Sequence, residues 1–171
     1  MIIIRRAGSS DWARLRDVRL RSLAADPSAF GSSLAREQAF GDEIWQERTR
    51  TSACFLAVPD DRDGDPDGDE EVAAVGVGLI RALTEEDADG EINAMWVDPE
   101  YRGTGVGGQL LQALLETARA GRYRSVRLRV TAGNQAATLL YERAGFVPSG
   151  RTEPLLSDPQ LTTAEYRLEL A

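Results

Sequence analysis

Histidine and lysine are both absent from this chain, and all 20 of its basic residues are arginine. Without histidine there is no serine–histidine or cysteine–histidine nucleophile pair and no usual zinc site. Proton transfer is left to Asp, Glu, Tyr, Cys, water or the backbone. Without lysine there is no Walker-type phosphate loop. The one cysteine, Cys54, excludes an internal disulfide and fits a reducing compartment. It lies in an apolar run with no activating partner and reads as a core residue. Long hydrophobic runs are also missing. "MIIIRR" offers three isoleucines before two arginines, too few for a signal peptide or a membrane span, and reads as a short edge strand over residues 2–5. These absences point to a cytoplasmic protein with no membrane partner.

What is present suits one domain over residues 1–171. The chain is 42% hydrophobic and 28% charged, enough to bury a core at this length. A net charge of −8 argues against nucleic acid, which is held mainly by basic side chains on phosphates. The acidity is local, because Asp60 to Glu71 carries eight acids and one arginine. Such a stretch has little to bury, so residues 59–71 are expected to form the mobile tip of a hairpin between the apolar runs "CFLAVP" and "VAAVGVGLIRAL". Its Asp63-Gly64-Asp65 start imitates a calcium loop, but the twelfth position, which needs Glu, is Ala74. No metal site is expected.

The remaining elements follow from periodicity. A serine cap opens a helix that places Trp12, Leu15, Val18 and Leu23 on one side and stops before Pro27. Asp42 is expected to cap a second short helix, "DEIWQERTR". "GEINAMWVDP" reads as a strand. A helix then carries Val106, Leu110, Leu111, Leu114, Leu115 and Ala118 on one face and ends at Gly121. "SVRLRV" alternates, with Val126, Leu128 and Val130 on one side and Arg127 and Arg129 on the other. Asn134 caps a helix that Gly145 closes, and "EYRLEL" is the last strand. "TEPLLSDPQLTT" reads as a loop. The order describes a mixed α/β domain.

The glycine-rich turn "PEYRGTGVGGQLL" sits between the strand and the long helix. Glycines let backbone N–H groups approach an anion, and the helix amino terminus adds partial positive charge. A pyrophosphate fits such a cradle, although a tight turn with packing glycines is the plainer reading.

"VDPEYRGTGVGGQLL" followed by "NQAATLLYERAGF" resembles the two signature segments of the GNAT superfamily of acyl-CoA-dependent N-acetyltransferases. Arg102, Gly105 and Gly107 match the first motif; Asn134, Ala137, Leu140, Tyr141, Gly145 and Phe146 match the second. The resemblance implies the GNAT fold, a mixed and mostly antiparallel central sheet with a splayed strand pair, flanked by helices. It implies acetyl-CoA as co-substrate, held by Arg102, Gly103, Thr104, Gly105, Val106, Gly107 and Gly108 around the pyrophosphate. Backbone of Met95, Trp96 and Val97 would pair with the pantetheine arm, with Asn134, Ala137 and Tyr141 beside it.

The implied reaction is attack of a primary amine on the thioester. Tyr141 matches the family's general acid beside the sulfur; the plainer reading is a core aromatic. Glu91 stands where some members carry a glutamate base, while many route the proton through water and a solvated strand-end carboxylate is the alternative. Phe30 falls where the family builds its acceptor pocket. Members acting on protein amino termini often carry a glutamate where Arg129 stands, so a small-molecule amine is the first expectation. A protein N-acetyltransferase and a non-catalytic acyl-CoA sensor are the alternatives. The resemblance is compatible with a homodimer.

Overall fold

The side-chain alternation of β2 (Ala53–Pro59) sets the layering of the molecule. Cys54, Leu56 and Val58 enter one apolar cluster, while Ala53, Phe55 and Ala57 pack into clusters on the other side of the sheet. A sheet apolar on both faces needs helices on both, and it has them. In the computed structural model, which describes residues 1–60, 72–83 and 88–171, seven strands form one sheet. They are β1 (Ile2–Arg6), β2, β3 (Gly76–Ala82), β4 (Asp89–Val97), β5 (Ser125–Thr131), β6 (Val147–Leu155) and β7 (Asp158–Glu169). Their spatial order is β1-β2-β3-β4-β5-β7-β6, and among neighbouring pairs only β4 and β5 run parallel. The expected mixed, mostly antiparallel sheet is present, with β1 at one edge. The acidic stretch from residue 61 to 71, with its calcium-like start, lies outside the described residues.

On one face lie α1 (Trp12–Ala25), α2 (Leu34–Gln38) and α3 (Asp42–Thr51). Leu15, Val18 and Leu23 of α1 and Trp45 of α3 pack there on Cys54, Leu56, Val77 and Leu79. On the other face lies α4 (Val106–Ala120), whose Leu111, Leu114, Leu115 and Ala118 meet Ile80, Ile92, Val126 and Leu128. Tyr141 of α5 (Gln135–Arg143) joins the same cluster. Gly78 lets α4 approach the sheet: a Cβ there would come within 2.6 Å of Met95 Sδ and 2.9 Å of Leu114 Cδ1. Burial in the first cluster pushes the Cys54 thiol up to about 12, so it stays neutral and inert.

Three expectations are corrected, and one helix is added. The first helix is not capped by a serine. Ser9 and Ser10 lie in a short 3-10 turn, and Asp11 accepts the Gly8 N–H at 2.8 Å. Asp42 is the first residue of α3 and the cap is Gly41; its carboxylate still faces the positive helix end. The helix α2, which periodicity did not announce, is only five residues long. "TEPLLSDPQLTT" is not a loop but the heart of the β6–β7 hairpin. Eight of the nine residues of β6 are exposed, so no apolar alternation marks it, and its two prolines suit an edge strand.

β4 carries the feature that shapes the site. Its pairing with β3 shifts between Leu79↔Asn93 and Val77↔Trp96, so one extra residue is inserted in β4. Ala94 absorbs it at φ 55°, a left-handed conformation uncommon outside glycine. The bulge inverts the alternation. Before it Ile92 faces α4; after it Met95 does, and Trp96 turns to the α1 face.

Candidate active site

β4 and β5 pair at Asp89↔Ser125, Gly90↔Val126 and Glu91↔Arg127, and then part. The gap opens into a cavity of about 490 Å³ whose walls come from both layers. From the α1 side come Arg19, Phe30 and the outward row of β5, Arg127 and Arg129. From the α4–α5 side come Met95, Asn134, Ala137 and Tyr141, and Glu91 stands at the fork. A gap through a sheet lets two reactants meet from opposite faces, which an intact hydrogen-bonded sheet would forbid.

Tyr141 is placed by α5. Asn134 Oδ1 accepts the Ala137 N–H at 3.2 Å, which fixes the start of that helix. The Tyr141 ring packs edge-on against Phe146 with centroids 5.9 Å apart. Burial pushes its phenol well above the ordinary tyrosine value, so at neutral pH it is a proton donor and not a base. Its hydroxyl has no hydrogen-bond partner among the described residues.

Charge is concentrated on the α1 side of the gap. Glu91 Oε2 accepts from Arg81 Nη2 at 2.7 Å, and Glu91 Oε1 lies 3.9 Å from Arg127 Nε. Arg129 pairs with Glu153 of β6. Deeper in, Arg19 gives Glu37 two hydrogen bonds, at 2.9 and 3.2 Å, and stacks over the Phe30 ring at 4.6 Å. Burial would raise the Glu37 carboxyl, but bonds from Arg19 and Arg48 outweigh that and hold it at about 2. Across the top, Ser157 Oγ donates to the Phe30 carbonyl at 2.5 Å, joining the β6–β7 turn to the segment after α1.

The glycine turn lies beyond this cavity, at the carboxyl end of β4. Gly103 and Gly105 have φ of 77° and 92°, which explains glycine at both. A Cβ on Gly103 or Gly108 would meet nothing within 4 Å, so neither is there for packing. No side chain caps α4, and the first bond closing it runs from Gln109 N–H to the Gly105 carbonyl at 3.1 Å. The N–H groups of residues 106–108 therefore have no partner within the helix and stand at the positive end of its 15 residues. This cradle fits a pyrophosphate, and the unpaired edge of β4 leads from it to the cavity.

Two turn side chains are engaged within the protein. Thr104 Oγ1 donates to the Tyr101 carbonyl at 2.6 Å. Arg102 donates to the Val97 carbonyl at 2.9 Å and to Asp26 at 2.5 Å. Trp96 Nε1 donates to the same Asp26 oxygen at 2.7 Å. Val106, the first residue of α4, is buried against Ala57, Val75 and Leu110. The cavity thus unites Glu91, Met95, Asn134, Ala137, Tyr141 and Phe30, while Trp96, Val97 and residues 102–108 lie outside its lining, at the end of β4 and in the turn. Sequence reasoning missed Asp26, for which no local signal exists, and Arg127, seen only as one of the outward residues of β5. Among the described residues no group of His, Cys, Asp and Glu could hold a metal, and no helix is long and apolar enough to cross a membrane.

The model of the "Acetyltransferase (GNAT) family" matches residues 18–146. N-acetylaspartate synthetase of Danio rerio is 38% identical over 106 residues, covering 55% of this chain and 38% of that protein. N-alpha-acetyltransferase RimI of Mycobacterium tuberculosis is 45% identical over 56 residues, covering 33% of this chain and 34% of that protein. The matches thus span little more than a third of these curated relatives. In fold, the chain is similar to yncA of Salmonella typhimurium, solved with acetyl-CoA. The TM-score is 0.75 at 17% identity, covering 100% of this chain and 95% of that one.

Proposed function

The chain belongs to the acetyltransferase (GNAT) family, and we propose that it transfers the acetyl group of acetyl-CoA to the primary amine of a small molecule by direct attack in a ternary complex. When bound, acetyl-CoA supplies a thioester whose carbonyl carbon accepts the amine lone pair, the C–N bond forming as the C–S bond breaks. The backbone of residues 103–108 would hold the pyrophosphate. The unpaired edge of β4 from Met95 to Val97 would orient the pantetheine arm, with Asn134 and Ala137 beside it. Arg102 serves from behind, tying the turn to Asp26 and the end of β4.

Glu91, at the fork, takes the proton that the amine must lose, directly or through water; an alkylamine near pKa 10.4 is mostly protonated at neutral pH. Tyr141 gives its proton to the departing thiolate. Its unpartnered hydroxyl, on a tyrosine that lines the cavity and whose pKa is raised by burial, suits donation and favours an enzyme over a binding module.

The observation that supports the small-molecule reading is the bridge from Ser157 to the Phe30 carbonyl, which ties the β6–β7 turn to the segment after α1 beside a cavity lined by Phe30, Leu155 and Leu156. A protein terminus would need an open groove there. One relative is named for N-acetylaspartate and the other as an N-alpha-acetyltransferase, and so an acceptor screen decides. Acetyl-CoA is offered with a panel of amines and with peptides bearing free amino termini, and acetylated products are read by mass. Turnover confined to peptides would overturn the small-molecule reading. Tight acetyl-CoA binding with no acceptor used would favour the sensor.

A further inference from the structure

Four arginines line the cavity, and three of them have close carboxylate partners: Arg19 with Glu37, Arg81 with Glu91, and Arg129 with Glu153. Arg127 differs. Its nearest carboxylate oxygens are Glu91 Oε1, 3.9 Å from Nε, and Glu165 Oε2, 3.7 Å from Nη1. Both are beyond hydrogen-bond reach, and Arg127 makes no hydrogen bond among the described residues. Its Nε is buried with no partner. A guanidinium carries five donors in a fixed planar fork shaped for a carboxylate, and leaving such donors unpaired in a cavity wall is unfavourable.

We propose that Arg127 receives the carboxylate of the acceptor, so that the amine acetylated is that of a free amino acid. The proposal rests on the small-molecule acetyltransferase reading of the same cavity. Two further observations support it. Of the two carboxylates in the cavity wall, Glu153 is paired with Arg129 and Glu91 Oε2 with Arg81, which leaves Glu91 Oε1 for one ammonium and disfavours a diamine or polyamine. Glu91 and Arg127 also share one rung of neighbouring strands, which run about 4.8 Å apart. An amino acid presents an ammonium and a carboxylate on one carbon, the same pairing of charges side by side. Arg81 engages Oε2 of Glu91, which leaves Oε1 on the Arg127 side for the ammonium.

The test compares L-amino acids of each side-chain class with their own C-terminal amides, which keep the amine and delete the carboxylate. Thiol release gives kcat/KM, and calorimetry of the protein loaded with coenzyme A gives binding. Acids are expected to exceed amides by about 10²-fold or more, because the amide leaves the Arg127 donors unpaired. Arg127→Gln should bring that ratio towards one, chiefly through KM, and Arg127→Lys should restore part of it. Amides that bind and react as well as acids would overturn the proposal without recourse to any variant, and so would an acid-to-amide ratio unchanged in Arg127→Gln. Acids bound in preference to amides but never acetylated would uphold the carboxylate site and sink the transferase reading instead.

Discussion

Glu91 and Arg127 face each other on the last rung that joins β4 to β5, their charged ends 3.9 Å apart, and beyond them the sheet opens. The pair therefore stands at the mouth of the gap where an acceptor would enter. Glu91→Gln keeps the shape and the place of the side chain but removes its basicity. Loss of a proton acceptor should lower kcat by about 10²–10⁴-fold at neutral pH, with coenzyme affinity unchanged. Steady-state rates with calorimetry would show this. A kcat within a few fold of wild type would reduce Glu91 to a partner of Arg81.

Tyr141→Phe tests the other end of the transfer. The phenylalanine keeps the edge contact with Phe146 and most of the packing, and deletes only the hydroxyl. Because a thiolate leaves readily, with a reference thiol pKa of about 8.5, the fall in kcat should lie near the low end of about 10²–10⁴-fold. Acetyl-CoA should bind as before. Unchanged turnover would remove Tyr141 from the chemistry, and weakened binding would recast it as a contact.

Gly105→Asp addresses the cradle. It sets a carboxylate beside the pyrophosphate position and forces a side chain onto a φ of 92°. Acetyl-CoA affinity should be lost while far-UV circular dichroism keeps its native form. A mutant binding as tightly as wild type in calorimetry would relocate the phosphate site.

Glu37 links the site's framework to pH. Its carboxyl is held at about 2, against 4.5 when unperturbed, so the folded state favours the charged form. That contribution, of about 3 kcal/mol, is complete above about pH 4.5 and is lost as pH falls towards about 2. Glu37→Gln leaves Arg19 and Arg48 without their carboxylate and should cost about 3–5 kcal/mol at pH 7. Urea unfolding of both proteins at pH 7 and pH 3 would measure it, and the gap between them should narrow at the lower pH. A constant gap would deny the linkage.

Much of the site was legible because it is written in local patterns. The glycines at 103 and 105 announce a tight turn before a helix, and both have positive φ. Asn134 three residues before Ala137 announces a cap, and the cap bond is made. Leu110, Leu114 and Ala118 announce the buried face of α4, and each is buried. These depend on neighbours within one helical turn, so the residues themselves determine them.

What only the tertiary structure decided depends on partners far along the chain. Ala94 has no intrinsic reason to adopt a left-handed conformation; the inserted residue is imposed where Met95 must face α4 and Trp96 the α1 side. Asp26 reaches Trp96 and Arg102 across 70 and 76 positions. The exposed strand β6 exists because β7 offers it an edge, not because its own sequence alternates. Arg127 and Arg129 look alike on one strand, yet Glu153 of β6 pairs with Arg129 while Arg127 makes no hydrogen bond among the described residues. That difference comes from strand order and register, which no short stretch of sequence contains.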